Sequence, residues 1–386
     1  MFWFLVVAIL KGESSDWSYY CGASPPHSYQ PDLSLEAVEI FFRHGARTSL
    51  EDDACFAGKQ ANYECAKTSI FGINKETLTI SKQYPGGCET GQLLLPLASS
   101  QLSNLAKWIK ETYKLSESEC TGNFFNSPST TTFRSTDKQR TLATLLEVTR
   151  NLFPEEYTTP LEVITADYDT DALCMNRPCP RAAYLSSEYK RTKIHAEIFE
   201  TAQECGKRWK SEVGTEFAAH ALDCLLSARC AKASLPVEVS DELFECVYDT
   251  VMKDRAAFYG KVVDGSSEFV DRSREFCRLS VSPVFEELRS KWAENSKSGL
   301  VATHDTTLIC MLQALGGLWS GRWPKYAESI SFENHLIDGE SFFKVIVDGE
   351  PVKDSYDNLF FPMSVLDDII MNDDCYLKEN VEIVEI

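Results

Sequence analysis

The chain has 386 residues, 44% hydrophobic and 25% charged, which excludes a disordered chain and leaves room for one large domain or two modest ones. Asp plus Glu number 58 against 38 for Lys plus Arg, a formal charge of −20. That excess argues against nucleic acid or an anionic membrane as the main partner, since both reward basic surfaces. Fourteen cysteines are scattered without a Cys-x-x-Cys pair, so neither a zinc ribbon nor a thioredoxin-like motif is present.

In chain order, Phe2 to Leu10 is a continuous apolar run, too short to span a bilayer and suited to the core of a secretory signal. It lacks a basic lead-in and a clean small-x-small cleavage site. Residues 1–16 are nonetheless expected to be a signal peptide, with several disulfides to follow in an oxidising compartment. Leu35 to Phe42 has a strand pattern that breaks at Arg43-His44-Gly45. Residues 46–90 carry few helical signals and three cysteines, a long excursion tied down by disulfides. Leu93 to Tyr113 places Leu102, Leu105, Ile109 and Tyr113 at helical spacing, and a second helix is expected over 139–152, stopped by Pro154.

Leu161 to Ile164 is expected as a short strand, and from about residue 184 to 294 the pattern is almost wholly helical. Ser240 followed by Asp241 and Glu242 is a good helix start, and Ser282-Pro283 is expected to open another helix. Leu300 to Thr303 is a brief strand ending at His304-Asp305, with a helix to about Leu315, and Ser341 to Val347 is a late strand. The acidic stretch from Asp373 to Ile386 carries no tail anchor or GPI-type signal. Strands alternating with helices predict an α/β fold, a mixed sheet flanked by helices with an inserted, mainly helical cap. The expected division is 17–165 plus 284–386 for the α/β body and 166–283 for the cap.

Two of the expected strands end in histidine, and ligands of open α/β sheets bind beyond the carboxyl ends of strands. Arg43-His44-Gly45-Ala46-Arg47 sets two guanidinium groups around one imidazole. Such planar, permanently charged forks suit phosphate oxygens, and a neutral imidazole among them can attack phosphorus. Gly45 removes a side chain where an anion could approach the backbone. Arg134 to Thr141 is a second basic cluster at the start of a helix, where an anion is also favoured. A solvated surface turn would account for either cluster taken singly.

Together the three segments resemble the histidine acid phosphatase family, which includes phytases. Its Arg-His-Gly-x-Arg-x-Pro segment is matched by Arg43, His44, Gly45 and Arg47, its Arg-Ser-Thr-Asp-x-x-Arg-Thr segment by Arg134 to Thr141, and its late His-Asp pair by His304-Asp305. The resemblance covers about residues 33–350 and implies a phosphoglycerate-mutase-like fold. It implies His44 as the nucleophile, Asp305 as the proton donor, and Arg43, Arg47, Arg140 and His304 as phosphate ligands, with Arg134 supporting its loop. It implies no cofactor and no metal, a small phosphomonoester as substrate, no membrane anchor, and a secreted or lysosome-like location, with a homodimer as the assembly to test. Ser49 stands where the family has proline, and Leu94 where it has threonine after Gly91-Gln92-Leu93.

An inositol-polyphosphate phosphatase is the runner-up activity. The His-Asp pair fits acid phosphatases and phytases, whereas the multiple-inositol-polyphosphate branch carries His-Ala-Glu, and the 166–283 insertion is not markedly basic. A binding protein on the same fold, with weak turnover, is the reading from another class.

Overall fold

The computed structural model describes residues 17–22, 24–50, 55–64, 88–113, 124–154, 161–167, 169–217, 220–371 and 375. The expected signal peptide and, apart from Cys375, the acidic C-terminal stretch lie outside them.

A mixed α/β body is built on a sheet in which β1 (Leu35–Arg43) lies between β3 (Ser298–Thr303) and β4 (Ser329–Ile337). β2 (Thr132–Ser135) runs parallel to β3, and β3 parallel to β1. β4 then turns the sheet antiparallel and pairs with β5 (Glu340–Val347), which carries β6 (Glu350–Pro351) and β7 (Phe360–Pro362) along its other edge. The body helices are α1 (Trp17–Tyr20), α2 (Leu95–Tyr113) and α3 (Gln139–Leu152). The insertion contributes α4 (Pro180–Tyr189), α5 (Lys193–Glu212), α6 (Ala221–Ala231) and α7 (Asp241–Phe258). The chain returns through α8 (Val270–Ala293) and α9 (Asp305–Ala314), and α10 (Ser364–Met371) follows the sheet.

β1 is buried on both faces, as a central strand covered by two helix layers must be. Ala37 and Phe41 point into a core with Phe285, Leu288 and Leu308 of α8 and α9. Val38, Ile40 and Phe42 point the other way, into Leu102, Leu105, Leu145 and Val148 of α2 and α3. The period-two alternation of the strand thus divides one residue run between two cores. A third core joins Trp209, Leu225, Leu243 and Phe244 of the insertion to Tyr20, Ala46, Phe56 and Tyr326 of the body.

Several local expectations meet the structure closely. Helix α3 has the expected bounds, and Ser240 caps α7 by accepting the Leu243 N–H at 3.1 Å. Two others are corrected. Leu161 to Ile164 forms no strand; Ile164 makes a single parallel bridge to Arg134. Pro283 opens no helix but sits inside α8, so the division expected at 283/284 falls within a continuous helix. Val281, Val284 and Phe285 are buried around it, and that packing against the sheet carries the helix through a proline that would otherwise break it.

Among the described residues five disulfides are formed: Cys21–Cys230, Cys55–Cys224, Cys179–Cys375, Cys205–Cys246 and Cys277–Cys310. The first two bolt the insertion's α6 to the N-terminal segment and to the excursion after β1. No helix of the described residues is long and apolar enough to cross a membrane.

Candidate active site

The parallel register explains why three distant motifs meet. Arg43 of β1 pairs with Thr303 of β3, so the residues that follow, His44 and His304, emerge side by side with ring centroids 5.7 Å apart. Ser135 of β2 pairs with Ala302, which brings Thr136 and the start of α3 to the same edge. All three segments therefore leave the sheet at the carboxyl ends of neighbouring parallel strands.

His44 is 2% exposed, and its Nδ1 lies 2.9 Å from the Gly45 carbonyl oxygen. A carbonyl only accepts, so Nδ1 carries the proton and Nε2 keeps its lone pair. Burial, then the positive charges of Arg140, Arg43 and Arg47, hold the His44 pKa well below the usual histidine range. The ring is thus neutral even in mild acid.

Arg43 is fully buried. Its Nη1 donates to the Pro324 carbonyl at 2.7 Å, and its Nη2 to the Tyr20 hydroxyl at 2.6 Å and to Asp305 Oδ2 at 2.7 Å. Its guanidinium also lies over the rings of Tyr20 and Tyr326, 4.6 and 4.4 Å from their centroids. Arg47 is held in a two-pronged pair by Asp223 of α6, at 3.2 and 2.8 Å. Arg140, in the first turn of α3, approaches His304 Nδ1 to 3.5 Å. Burial and the like charge of Arg47 bring its pKa down to about 10, so it stays protonated at working pH.

Each of these three arginines has a buried Nε with no hydrogen-bond partner among the described residues. Buried N–H donors are rarely left unpaired. Three such donors on the guanidinium groups around one imidazole make a site prepared for an anion.

His304 faces Thr136 Oγ1 through Nε2 at 3.1 Å, and its pKa is also well below the usual range, from burial first and the Arg140 charge next. Asp305 opens α9. Its Oδ1 accepts its neighbour's N–H, from Thr306, at 2.8 Å, while Oδ2 accepts from Arg43 and, at 3.1 Å, from the Trp323 indole. Burial alone would raise its pKa, but Arg43 and the indole N–H hold it below the usual carboxylate range.

Arg134 stands apart from this group. It pairs with the buried Asp171 at 2.7 and 3.2 Å and ties β2 to the segment at 169–174, the supporting place expected of it. Gly45 has a packing reason of its own. A side chain there would meet Ala98 Cβ at 2.9 Å and Leu93 Cδ1 at 3.1 Å, and the Gly45 N–H already donates to Thr144. Close packing on α2 is enough to require glycine here. The missing family proline also has a local basis, since the Ser49 N–H donates to the Tyr63 hydroxyl at 3.3 Å, a bond proline could not make.

Asp223, Tyr20, Trp323 and Tyr326 touch the site residues, and the motif search names none of them. Asp223 lies far from any motif in the chain, and Tyr20 precedes Arg43 by 23 positions with no pattern to mark it. Trp323 and Tyr326 follow the His-Asp motif by less than 25 residues within an aromatic, proline-containing stretch, the one signal that could have drawn attention to them.

Comparison with known proteins points the same way. No curated protein matches the chain. Among solved structures, the phytase of Citrobacter braakii superposes with a TM-score of 0.55 at 14% identity, over 90% of this chain and 100% of that one. The phytase of Hafnia alvei, in its apo form, gives 0.54 at 13%, over 92% and 100%. A multiple inositol polyphosphate phosphatase from Bifidobacterium longum, solved with inositol hexasulfate, gives 0.51 at 9%, over 89% and 96%. At these identities the likeness is one of fold. The model of one family, the histidine phosphatase superfamily (branch 2), matches residues 34–348. Its match spans most of the chain, and the chain belongs to that superfamily.

Proposed function

We propose that the protein is an acid phosphatase that hydrolyses small phosphomonoesters through a phosphohistidine at His44. The observation that carries this reading is the set of three unpaired, buried guanidinium N–H groups of Arg43, Arg47 and Arg140 around a neutral imidazole.

In the first step His44 Nε2 attacks phosphorus, the N–P bond forms and the bond from phosphorus to the ester oxygen breaks. Arg43, Arg47, Arg140 and His304 hold the phosphoryl oxygens and stabilise the charge that builds on them. Asp305 protonates the leaving oxygen. Its resting pKa is low because Arg43 is its partner. A phosphate dianion drawn in by the same arginines places a like charge beside the carboxylate and raises its pKa, so the acid form appears in the complex. Arg43 and the Trp323 indole both donate to Oδ2, whereas Oδ1 accepts a single N–H, from Thr306, and keeps a lone pair for the transferable proton. In the second step Asp305 takes a proton from water, the water oxygen attacks phosphorus, and the N–P bond breaks to return neutral His44.

The five disulfides among the described residues favour an extracytoplasmic setting, and with it a secretory route. The division into a body and a helical cap, expected over 166–283, fits a site closed from one side by α6, with α8 running on through the later boundary. Assay of simple phosphomonoesters beside phytate over pH 4 to 8 tests the activity and its substrate class together. Turnover of simple esters, fastest in acid, is expected. Turnover of phytate alone would shift the assignment to an inositol-polyphosphate phosphatase, and no turnover of either would leave a binding protein on this fold.

A further inference from the structure

Resting on the phosphatase reading of this site, we propose that Tyr326 is a further catalytic residue, its hydroxyl donating a hydrogen bond to an oxygen of the bound phosphoryl group. Tyr326 is 1% exposed, and its hydroxyl is buried with no hydrogen-bond partner among the described residues. A phenylalanine would keep every ring contact and avoid the cost of burying an unpaired hydroxyl. Those contacts place the ring at the reacting group. It lies 5.9 Å from the His44 ring, under the Arg43 guanidinium at 4.4 Å, and edge-on to Tyr20 at 4.9 Å. The ring thus sits against both the nucleophile and one of the proposed phosphate ligands.

The backbone around Tyr326 is built to hold this position. The Pro324 carbonyl accepts from Arg43 Nη1, the Tyr326 N–H donates to the Tyr20 carbonyl at 3.1 Å, and the Ala327 N–H donates to the His44 carbonyl at 3.3 Å. Ala327 has φ of 59°, in the left-handed region that a residue with a side chain enters at a cost. Such a conformation persists where its surroundings over-determine it, and it clusters at functional sites. Here it directs the tyrosine before it toward His44.

A donor that finds its partner only when the phosphoryl group is present stabilises the transition state and contributes nothing to the resting fold. That separates Tyr326 from a structural tyrosine. The test compares wild type with Tyr326→Phe in three measurements: turnover of p-nitrophenyl phosphate, binding of inorganic phosphate by calorimetry, and thermal midpoint. The expected result is a loss of kcat/KM on the order of 100-fold, weaker phosphate binding, and a Tm equal to or above that of wild type. Unchanged kcat/KM and phosphate affinity beside an active wild type would overturn the role of Tyr326 alone. A lowered Tm together with lost activity would also overturn it, because the hydroxyl would then be holding the fold. If wild type neither turns over the ester nor binds phosphate, the phosphatase reading fails, and this inference with it.

Discussion

Asp223 of the helical insertion grips Arg47, in the segment that follows β1, through both terminal guanidinium nitrogens, at 3.2 and 2.8 Å, and also accepts the Leu50 N–H at 2.8 Å. One carboxylate thereby orients one of the three arginines clustered at the site and the loop that follows it. Burial would raise the Asp223 pKa, but Arg47 and its hydrogen bonds hold it below the usual carboxylate range, so the grip persists in acid. Asp223 takes one N–H from each Nη group and the Thr48 carbonyl a second from Nη1, which leaves Nε as the buried nitrogen with no partner among the described residues.

Asp223→Ala is expected to raise KM for phosphomonoesters on the order of tenfold or more, with a smaller change in kcat, because Arg47 loses its orientation. Asp223→Asn, which keeps an acceptor, should fall between the two. Steady-state kinetics with one ester for all three proteins decides the matter. Tighter binding in the Ala variant would mean that Asp223 competes with phosphate instead of presenting Arg47 to it.

Asp305→Ala should slow phosphorylation by alkyl phosphates by about 10²–10⁴-fold, and by activated aryl phosphates much less. An alkoxide needs the proton of Asp305, whereas a nitrophenolate leaves nearly unaided. Rapid-quench rates of enzyme phosphorylation make the comparison directly. Equal losses for both classes of leaving group would remove Asp305 from the role of proton donor.

Glu328 is buried, accepts from the Tyr19 hydroxyl at 2.6 Å, and has its pKa pushed up to about 7, chiefly by burial. The folded protein thus holds a proton that the unfolded chain releases above about pH 4.5. This stabilisation is full at the acid end and is lost as pH rises through about 7. Glu328→Gln has no such dependence, so its Tm relative to wild type should climb between pH 5 and 8. The shift corresponds to roughly 3 kcal/mol at most. A Tm difference that stays flat across that range would place the Glu328 pKa near its ordinary value.

Peptide mapping without reduction should recover Cys21–Cys230, Cys55–Cys224, Cys179–Cys375, Cys205–Cys246 and Cys277–Cys310. Cys174 should be found as a free thiol. Burial pushes its pKa up to about 12, so slow alkylation in the folded protein is expected. Removing Cys55–Cys224 should cost on the order of 2–4 kcal/mol, and should also raise KM, because Asp223 is the residue beside Cys224. Free thiols at these ten positions in protein from its native compartment would contradict the extracytoplasmic placement.

The elements that build the site were legible because their signals are local. β1 is an apolar run cut off by Arg43-His44-Gly45, and α3 is bounded by its periodicity and Pro154. The short strand before His304-Asp305 and the helix after it stand out for the same reason. β2 did not stand out, since four residues, Thr132–Ser135, gain their strand character only from pairing with β3. β4 hides behind Ser329, Ser331, Glu333 and His335, which are polar yet buried and break the apolar pattern. In Ser282-Pro283 a helix-start signature was overridden by packing of α8 on the sheet. Of the site itself, the residues proposed to face phosphate lie in motifs. Their keepers do not: Asp223 is 176 positions from Arg47, and Tyr20 lies 23 positions before Arg43. Such partners are set by tertiary contact, for which spacing along one chain carries no signal.

The most direct test of the account is the covalent step. Protein mixed with ³²P-labelled p-nitrophenyl phosphate and quenched within milliseconds should carry label that survives base and is lost in acid, the behaviour of a phosphoramidate. Peptide mapping under alkaline conditions should place the label on His44, and His44→Ala should carry none. Acid-stable label, label on another residue, or turnover undiminished in His44→Ala would contradict a phosphohistidine at this position.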